Sequence, residues 1–378
     1  MIMIYFDYAA TTPVDIRVVN KMLPYFNKEF GNPSSIYDLG KSSKYAINFA
    51  RKEIADAINC YPEEIYFTSC GSESDNLAIK GIAKANRVKG NHIITSKIEH
   101  PAVINTCKSL EKEGFEVTYL DVDKNGFINI NELEKAIKNN TILISIMYAN
   151  NEIGTVQDVD KIGEIARKRN IIFHTDSVQT VGNIRIDVRK SNIDSLSMSA
   201  HKFYGPKGVG ALYVRSGVNF NRQQDGGHQE KEKRSGTENV PGIVGMGYAI
   251  SLANNEIESH TEKIKYLRDL YIKSIINEVP NIYINGSLDK RLPGNANISY
   301  LGIKGAKMVE LLNERGICAS SGSACSAGLI KPSNVILATT KNSNIASSAL
   351  RTTFGKYNTI DDINYLVENI KDIVKKYR

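Results

Sequence analysis

Residues 194–213 hold the segment around which this chain is built, with the sequence DSLSMSAHKFYGPKGVGALY. Two runs of apolar and small residues flank Gly205 and Pro206, so the pattern predicts a strand, a sharp loop and a second strand. Lys202 lies at the turn, in a loop that two strands hold in place. A lysine that forms a Schiff base is usually positioned in this way. A solvated loop lysine is the alternative, because the chain has 48 Lys and Arg residues and most lysines are exposed.

A second segment, upstream, supplies a partner for this lysine. Residues 171–179 read IIFHTDSVQ, an apolar run typical of a buried strand that ends at Asp176, with Gln179 three residues later. Open α/β sheets bind ligands at the carboxyl ends of their strands, which is where Asp176 would lie. An Asp that pairs with a pyridinium nitrogen and a Lys that forms an imine are the two protein groups that a pyridoxal phosphate site requires. Asp176 and Lys202 therefore predict such a site.

Further motifs extend along the whole chain in order. They are DYAATTP at 7–13, GNPSS at 31–35, EHPAV at 99–103, NNEIGT at 150–155 and SSGSAC at 320–325. With these motifs the chain resembles the cysteine desulfurases of the NifS/IscS type, within the fold-type I, class V aminotransferase superfamily. Several long matches in the right order are far more specific than one short motif.

The resemblance implies a fold and an activity. The expected fold is α/β, with a large domain on a mostly parallel seven-stranded sheet covered by helices, and a smaller α+β C-terminal domain. The expected activity removes sulfur from L-cysteine, giving L-alanine and an enzyme persulfide, with pyridoxal phosphate as cofactor. The sulfur would pass to an acceptor such as an iron–sulfur cluster scaffold or a tRNA-thiolating enzyme. The enzyme would be a homodimer, and Cys325 could also ligate a cluster together with the scaffold.

The resemblance also implies roles for individual residues. The expected catalytic residues are Lys202, Cys325, His100 and Asp176. The expected cofactor contacts are Gly71, Ser72, His100, Asn151, Asp176, Gln179, Ser199, His201 and Lys202, with Thr237 reaching the cofactor phosphate of the other subunit. The expected substrate contacts are Asn32, Asn151 and Arg351, and no metal ligand is expected.

The chemistry of these residue types suits the roles. An imidazole titrates near neutral pH, which suits His100 to repeated proton transfer beside the Asp176 strand end. A planar guanidinium suits Arg351 to a bidentate grip on a carboxylate. Cys325 lies in a segment rich in Ser, Gly and Ala whose composition predicts mobility, and a protonated His100 would help to form its thiolate.

A small-residue stretch at 69–76, SCGSESDN, follows the predicted strand 64–68. A strand, loop and helix start in this order would aim backbone N–H groups and the positive end of a helix dipole at a phosphate, with the Ser72 hydroxyl beside it. A helix cap at Ser72 is an alternative that is compatible with the phosphate role. The family usually has Gly in place of Cys70 and Thr in place of Ser72. We interpret Cys70 as a small buried apolar residue rather than as a second active-site thiol.

Other polar positions keep two interpretations. Asn32 could contact the substrate or only stabilise the turn at 31–35, and Asn151 and Gln179 could be ordinary polar loop residues. A structural role is the alternative for His100. Tyr37 stands where the family commonly has His, so no role is transferred to it.

Size and composition predict two domains. A chain of 378 residues with 42% apolar content exceeds the size at which one hydrophobic core usually stops growing. We expect a large cofactor-binding domain over 16–255, and a small domain formed by 1–15 and 256–378 that carries the Cys325 loop. Alternating strands and helices indicate a mostly parallel sheet, and residues 256–278 have the pattern of long charged helices.

Charge and cysteine content exclude several classes of protein. The formal net charge of +7 is spread over short basic patches, which argues against direct nucleic-acid binding. Five cysteines without CxxC or His-rich spacing argue against a disulfide framework and a metal site. The sequence contains no run of 18 apolar residues and no basic, apolar leader, so we expect a cytoplasmic protein without membrane association.

Three alternative functions remain from the sequence alone: another class V aminotransferase, a selenocysteine lyase, or a cofactor-free scaffold descended from such an enzyme. A transaminase needs no thiol in such a loop, whereas desulfuration requires a nucleophile that accepts sulfur, so Cys325 favours the desulfurase. Taken alone, Cys325 could be a surface cysteine in a linker. The joint presence of Lys202, Asp176, His100, Cys325 and Arg351 argues against the scaffold.

Overall fold

The computed structural model describes residues 3–321 and 332–378. Over these residues the chain forms twelve β-strands: β1 (Ile4–Tyr5), β2 (Ile65–Thr68), β3 (His92–Ser96), β4 (Glu116–Leu120), β5 (Thr141–Ser145), β6 (Ile172–Asp176), β7 (Ser195–Ser199), β8 (Gly210–Val214), β9 (Ile282–Ile284), β10 (Asn295–Tyr300), β11 (Ile317–Cys318) and β12 (Ala349–Thr353).

The same residues form twelve α-helices: α1 (Ile16–Met22), α2 (Pro24–Asn27), α3 (Asp38–Ile58), α4 (Gly71–Ala85), α5 (Pro101–Lys112), α6 (Ile130–Ala136), α7 (Val159–Lys168), α8 (Val240–Glu278), α9 (Gly305–Asn313), α10 (Asn334–Thr340), α11 (Ser343–Ser347) and α12 (Ile360–Tyr377). Short 3₁₀ helices lie at Pro62–Glu64, Ala200–Lys202 and Gln229–Glu232. None of the helices in these ranges is both long and apolar enough to cross a membrane.

The large sheet has seven strands in the order β2-β8-β7-β6-β5-β3-β4. Strands β3 to β7 run parallel to one another, whereas β8 runs antiparallel to both β2 and β7. Strands β3, β5, β7 and β8 are buried along their whole length, as expected for strands covered by helices on both faces. The predicted α/β fold with a mostly parallel seven-stranded sheet is therefore confirmed.

The hairpin around Lys202 folds as the sequence predicts. Strand β7 leads through the 3₁₀ helix and a turn into β8, with Ser199 paired to Gly210. A Cβ at Gly210 would lie 2.8 Å from the carbonyl carbon of Cys70, so only glycine permits this close approach. The lysine hairpin and the start of α4 are thereby brought into contact.

A second apolar core lies against a three-stranded antiparallel sheet in the order β12-β10-β9. Phe6 belongs to this core, and β1 pairs in parallel with β11, so the N-terminal segment packs with the C-terminal third of the chain. The division into 16–255 and 1–15 with 256–378 stays a prediction, and its boundary falls inside α8.

Helix α8 differs most from the sequence prediction. It begins at Val240 rather than at 256, and its N-cap Asn239 accepts a hydrogen bond from the N–H of Gly242. The sequence pattern did not predict the first turns of this helix because they contain glycine, which has a low intrinsic helix propensity. A Cβ at Gly247 would lie 2.5 Å from the Cα of Ala50 in α3. Close packing of the two helices therefore requires this glycine.

Candidate active site

A cavity of about 310 Å³ opens at the edge of the large sheet where the parallel strands end. Its size is typical of small-molecule sites, which span roughly 300–1,000 Å³. It is lined by ten of the residues predicted for cofactor and substrate: Gly71, Ser72, His100, Asn151, Asp176, Gln179, Ser199, His201, Lys202 and Arg351. Strand ends and loops that are distant in sequence therefore meet at the edge of the sheet that the strand pattern indicated.

Lys202 ends the 3₁₀ helix after β7, and its side chain lines the cavity. Its Nζ donates to the carbonyl oxygens of Ala9 at 2.5 Å and Ala10 at 2.8 Å. Nε2 of Gln179 donates to the same Ala9 oxygen at 3.0 Å. The motif at 7–13 thus holds both side chains in the cavity wall.

Asp176 is the last residue of β6 and is 7% exposed. Its Oδ1 accepts a hydrogen bond from the N–H of Val178 at 3.0 Å. Burial raises the pKa of the Asp176 carboxyl, whereas the neighbouring His100 and Lys202 lower it. A cation placed against this carboxylate would replace the hydration that burial removes. The site is therefore suited to a protonated ring nitrogen.

His100 caps the N-terminus of α5, because its Nδ1 accepts a hydrogen bond from the N–H of Ala102 at 3.2 Å. A neutral ring in this arrangement carries its proton on Nε2. Burial lowers the pKa of His100, and so does the charge of Lys202, whereas the charge of Asp176 raises it. The structure therefore favours a neutral ring over the protonated one that we expected to assist Cys325.

Helix α4 directs its N-terminus at the cavity. Its first residue is Gly71, and Oε2 of Glu73 accepts a hydrogen bond from the N–H of Ser69 at 2.7 Å. The first N–H groups of α4, which no helical carbonyl can satisfy, are then available to an anion. Ser72 lies in the first turn and Cys70 occupies the cap position, so the alternative of a helix cap at Ser72 is wrong.

His201 lines the same cavity as this helix start. Its Nδ1 forms a hydrogen bond with Oγ1 of Thr11 at 3.1 Å. Burial, together with the charges of Lys202 and Lys207, lowers the pKa of His201 to about 4. His201 is then neutral near pH 7, so it can offer a phosphate a hydrogen bond rather than a charge.

Arg351 lies in β12 and is 5% exposed. Its Nη1 donates to the carbonyl oxygen of Asn151 at 3.1 Å, and its Nη2 donates to Oδ1 of Asp7 at 2.7 Å. Its Nε is buried and has no hydrogen-bond partner among the described residues. Buried donors are nearly always paired, so this one is suited to an acceptor on a ligand.

Asn150 shapes the loop that presents Asn151. Oδ1 of Asn150 accepts hydrogen bonds from the N–H groups of Glu152 at 2.8 Å and Ile153 at 2.9 Å, and its Nδ2 donates to the carbonyl oxygen of Ile98 at 2.8 Å. Asn150 is fully buried, whereas Asn151 is half-buried and lines the cavity. The first asparagine of the motif therefore has a structural role.

Two further predicted site residues, Asn32 and Thr237, do not line the cavity of their own chain. Asn32 is exposed, and its Oδ1 accepts a hydrogen bond from the N–H of Ser34 at 2.9 Å, which is the turn-stabilising role that the sequence left open. Thr237 is exposed as well. Cys325 lies outside the described residues.

Among the residues of the cavity wall to which the sequence analysis gave no role in the site, three have ionisable side chains. Cys70 is half-buried and lines the cavity, so its interpretation as a buried apolar residue is wrong. Asp7 and Asp75 add two carboxyl groups to the wall. Each of the three lies in a quoted stretch beside residues that were assigned, and that proximity is the one signal that could have found them.

These features fit pyridoxal phosphate. Lys202 supplies an amine for the covalent link, Asp176 a buried carboxylate for the ring nitrogen, and the start of α4 an anion site for the phosphate. Arg351 adds a buried donor for the carboxylate of an amino acid. All four face one cavity.

Three comparisons relate the chain to known proteins. The sequence pattern of the family Aminotransferase class-V matches residues 4–366. Cysteine desulfurase IscS of Methanosarcina thermophila is 53% identical over 375 residues, which cover 99% of this chain and 93% of the relative. A solved NifS-like protein has a TM-score of 0.93 at 37% identity, over 99% of this chain and 100% of that one. SspA, solved in complex with cysteine, has a TM-score of 0.83 at 40% identity, over 94% of this chain and 99% of that one.

Proposed function

The chain belongs to the Aminotransferase class-V family and is a pyridoxal phosphate-dependent cysteine desulfurase, and on this premise we propose how its own residues carry out the reaction. The predicted activity, cofactor and substrate L-cysteine are thereby confirmed. The observation that carries the proposal is the convergence of Lys202, Asp176, His100 and Arg351 on one cavity.

The first part of the proposal concerns the cofactor. When bound, pyridoxal phosphate supplies an electron sink for the bonds at the α and β carbons of the substrate. Lys202 is the covalent anchor, and Asp176 pairs with the ring nitrogen and keeps it protonated. The start of α4, together with Ser72, Ser199 and His201, holds the phosphate. Gln179 and Asn151 complete the contacts.

Arg351 is proposed to bind the carboxylate of L-cysteine. Asp7 and the Asn151 carbonyl already hold its two terminal nitrogens, so the guanidinium plane is fixed before the substrate arrives. Nε, which lacks a partner among the described residues, is left for the ligand. The side-chain amide of Asn151 is the second contact.

Cys325 is the proposed nucleophile. Its thiolate attacks the substrate sulfur, an S–S bond forms, and the Cβ–S bond breaks. The electron pair of the broken bond goes to the substrate carbon, which takes up a proton and becomes the methyl group of alanine. The two sulfur atoms are oxidised as this carbon is reduced, so no external oxidant is consumed. The product on the enzyme is a persulfide.

His100 is proposed to move protons through Nε2. The Ala102 N–H occupies Nδ1, so the second ring nitrogen is the one able to exchange a proton with the substrate. A neutral ring with a lowered pKa releases a proton readily after it has taken one up.

A homodimer is part of the proposal. Large apolar side chains are exposed by 48% or more along residues 16–49, namely Ile16, Leu23, Phe26, Phe30, Ile36, Tyr37, Tyr45 and Phe49. Exposed apolar surface of this extent marks interaction surfaces on folded proteins. Thr237 and Asn32 lie outside the cavity of their own chain, and in the proposal both act in the site of the partner subunit.

The persulfide must be discharged by another thiol. We propose an acceptor protein in the cytoplasm, such as an iron–sulfur cluster scaffold, with tRNA thiolation as a second destination of the sulfur. Attack of the acceptor thiolate on the outer sulfur of Cys325 would regenerate the enzyme thiol.

The proposal is tested by incubating the purified holoenzyme with L-cysteine and assaying alanine and sulfide together. With a reductant present, the two products should appear in equal amounts. Without reductant or acceptor, alanine formation should stop at about one molecule per active site, because the persulfide blocks Cys325. Continued alanine formation without reductant, or pyruvate in place of alanine, would contradict the proposed route.

A further inference from the structure

Asp75 is a cavity residue that the mechanism above does not use. It lies in α4 and is 1% exposed. Its Oδ1 is buried and has no hydrogen-bond partner among the described residues. Buried carboxyl groups are nearly always paired or hydrogen-bonded, so the position of Asp75 requires an explanation.

Asp75 stands next to the proposed catalytic groups. One oxygen of Asp75, one oxygen of Asp176 and one ring nitrogen of His100 all lie within 4.8 Å of one another. Glu99 and Cys70 are the other ionisable groups whose charges act on Asp75. Neither is a cation.

His174 approaches Asp75 from β6, with 3.8 Å between its Nε2 and Oδ1 of Asp75. Its ring is fully buried and lies between the hydroxyl groups of Ser145 and Ser197, at 2.9 Å and 3.0 Å. Burial lowers the pKa of His174 to about 3, so the ring is neutral near pH 7. Among the described residues, Asp75 forms no ion pair with a lysine or arginine.

Only one of the two carboxyl groups, that of Asp75 or that of Asp176, can carry a negative charge. Carboxylates this close in a buried site cannot both ionise. Asp176 has more support for a charge, because it accepts the Val178 N–H and faces the charge of Lys202. Asp75 has weaker support, a hydrogen bond from the Ser197 hydroxyl, and burial, followed by the charge of Asp176, raises its pKa well above the ordinary value.

We propose that Asp75 is a positioning residue: a neutral carboxylic acid, held next to Asp176, that stabilises Asp176 as the charged partner of the cofactor ring nitrogen. A separation within 4.8 Å spans a direct hydrogen bond or one bridging water, so the Asp75 proton can act on the Asp176 carboxylate. Stabilising that anion raises the proton affinity of the ring nitrogen opposite it. This inference rests on the proposed role of Asp176.

The test uses two substitutions of Asp75 in the purified protein. Asp75→Asn keeps the size and a hydrogen-bond donor but cannot ionise, whereas Asp75→Ala removes the donor. Titration of the cofactor-free protein with pyridoxal phosphate gives the dissociation constant, and the absorbance of the bound cofactor against pH gives a spectroscopic midpoint. Circular dichroism reports whether each variant is folded.

Asp75→Asn should bind the cofactor with an affinity within about twofold of the wild type and should keep the spectroscopic midpoint. Asp75→Ala should bind the cofactor roughly tenfold more weakly, which is the size of effect seen when a residue that supports a direct contact is replaced. If Asp75→Asn is as damaging as Asp75→Ala, the charge of Asp75 is required and the inference is wrong. If Asp75→Ala behaves like the wild type, the residue has no such role. If Asp75→Ala does not fold, the inference is tested by the spectroscopic midpoint of Asp75→Asn alone.

Asp176→Asn is the matched control, because it neutralises the other carboxyl of the pair. It should shift the spectroscopic midpoint strongly. A mild Asp176→Asn variant would overturn both the role of Asp176 and the inference. A strong Asp176→Asn effect together with a shifted midpoint in Asp75→Asn would overturn the inference alone.

Discussion

Nη2 of Arg351 donates to Oδ1 of Asp7 at 2.7 Å, an ion pair between the last strand of the small sheet and the N-terminal segment. Both side chains are largely shielded from solvent, with 6% of the Arg351 side chain and 18% of the Asp7 side chain exposed. The two residues lie near opposite ends of the chain. The proposed carboxylate site can therefore form only after both ends have folded against each other.

Arg351→Lys should raise the KM for L-cysteine by about tenfold or more, because an ammonium group cannot replace the fixed fork of donors. The absorbance of the bound cofactor should be unchanged. Asp7→Asn keeps an acceptor for Nη2 and should have a smaller effect in the same direction. Steady-state kinetics and cofactor spectra measure both, and loss of cofactor from Arg351→Lys would show that Arg351 supports the cofactor site instead.

Lys202→Ala should abolish the covalent link between protein and cofactor that borohydride fixes, because the amine that forms the link is removed. Lys207→Ala is a matched control, since Lys207 lies in the same turn but is exposed and does not line the cavity. Mass spectrometry of the reduced, digested protein locates the label. A label that persists in Lys202→Ala would assign the cofactor to another lysine.

Thr237 should act across the subunit interface. In mixed dimers of Lys202→Ala and Thr237→Ala chains, one of the two sites would receive Lys202 from one chain and Thr237 from the other, and so would be intact. Activity should then rise when the two weakly active variants are mixed, unfolded and refolded together. If Thr237 served its own chain, mixing would restore nothing, and sedimentation of a fully active monomer would contradict the dimer itself.

The sequence predicted the parts of the fold that depend on local pattern. Apolar runs such as 171–176 gave the strands, and their carboxyl ends placed Asp176 and Lys202 at one edge of the sheet. The exposure of Cys70 could not be read in this way, because the Gly210 contact that places the hairpin beside it joins residues far apart in sequence. The start of α8 was missed for a similar reason, since its packing against α3 outweighs the low helix propensity of glycine.

Acid should destabilise the fold through His174. Burial lowers its pKa to about 3 from an ordinary value of 6.5, so between these values the unfolded chain binds the extra proton. The contribution of His174 to stability is thus complete above about pH 6.5 and is lost as the pH falls. Between about pH 6.5 and pH 5.5, the wild type should lose about 1 kcal/mol more free energy of unfolding than His174→Gln, because the unfolded histidine is already half protonated at the upper pH. Urea unfolding at both pH values measures this difference, and equal losses would mean that His174 accepts a proton in the folded state.

Cys325→Ser should separate cofactor chemistry from sulfur transfer. The substitution leaves every described residue of the cavity in place, so the protein should stay yellow and its spectrum should still change when L-cysteine is added. A hydroxyl group is a far weaker nucleophile towards sulfur than a thiolate, so persulfide should be absent and alanine should be almost absent. Labelling with ³⁵S-cysteine followed by non-reducing electrophoresis measures the persulfide directly.

Two other thiols decide whether the choice of Cys325 is right. Cys70 lines the cavity and Cys318 lies in β11, and neither is fully buried. Cys70→Ser and Cys318→Ser should therefore be prepared beside Cys325→Ser, and both should keep the ³⁵S label and the release of alanine. Burial raises the pKa of the Cys318 thiol, which makes it a poorer nucleophile near neutral pH. A label that survives in Cys325→Ser and disappears only when Cys70 is also replaced would transfer the nucleophilic role to Cys70.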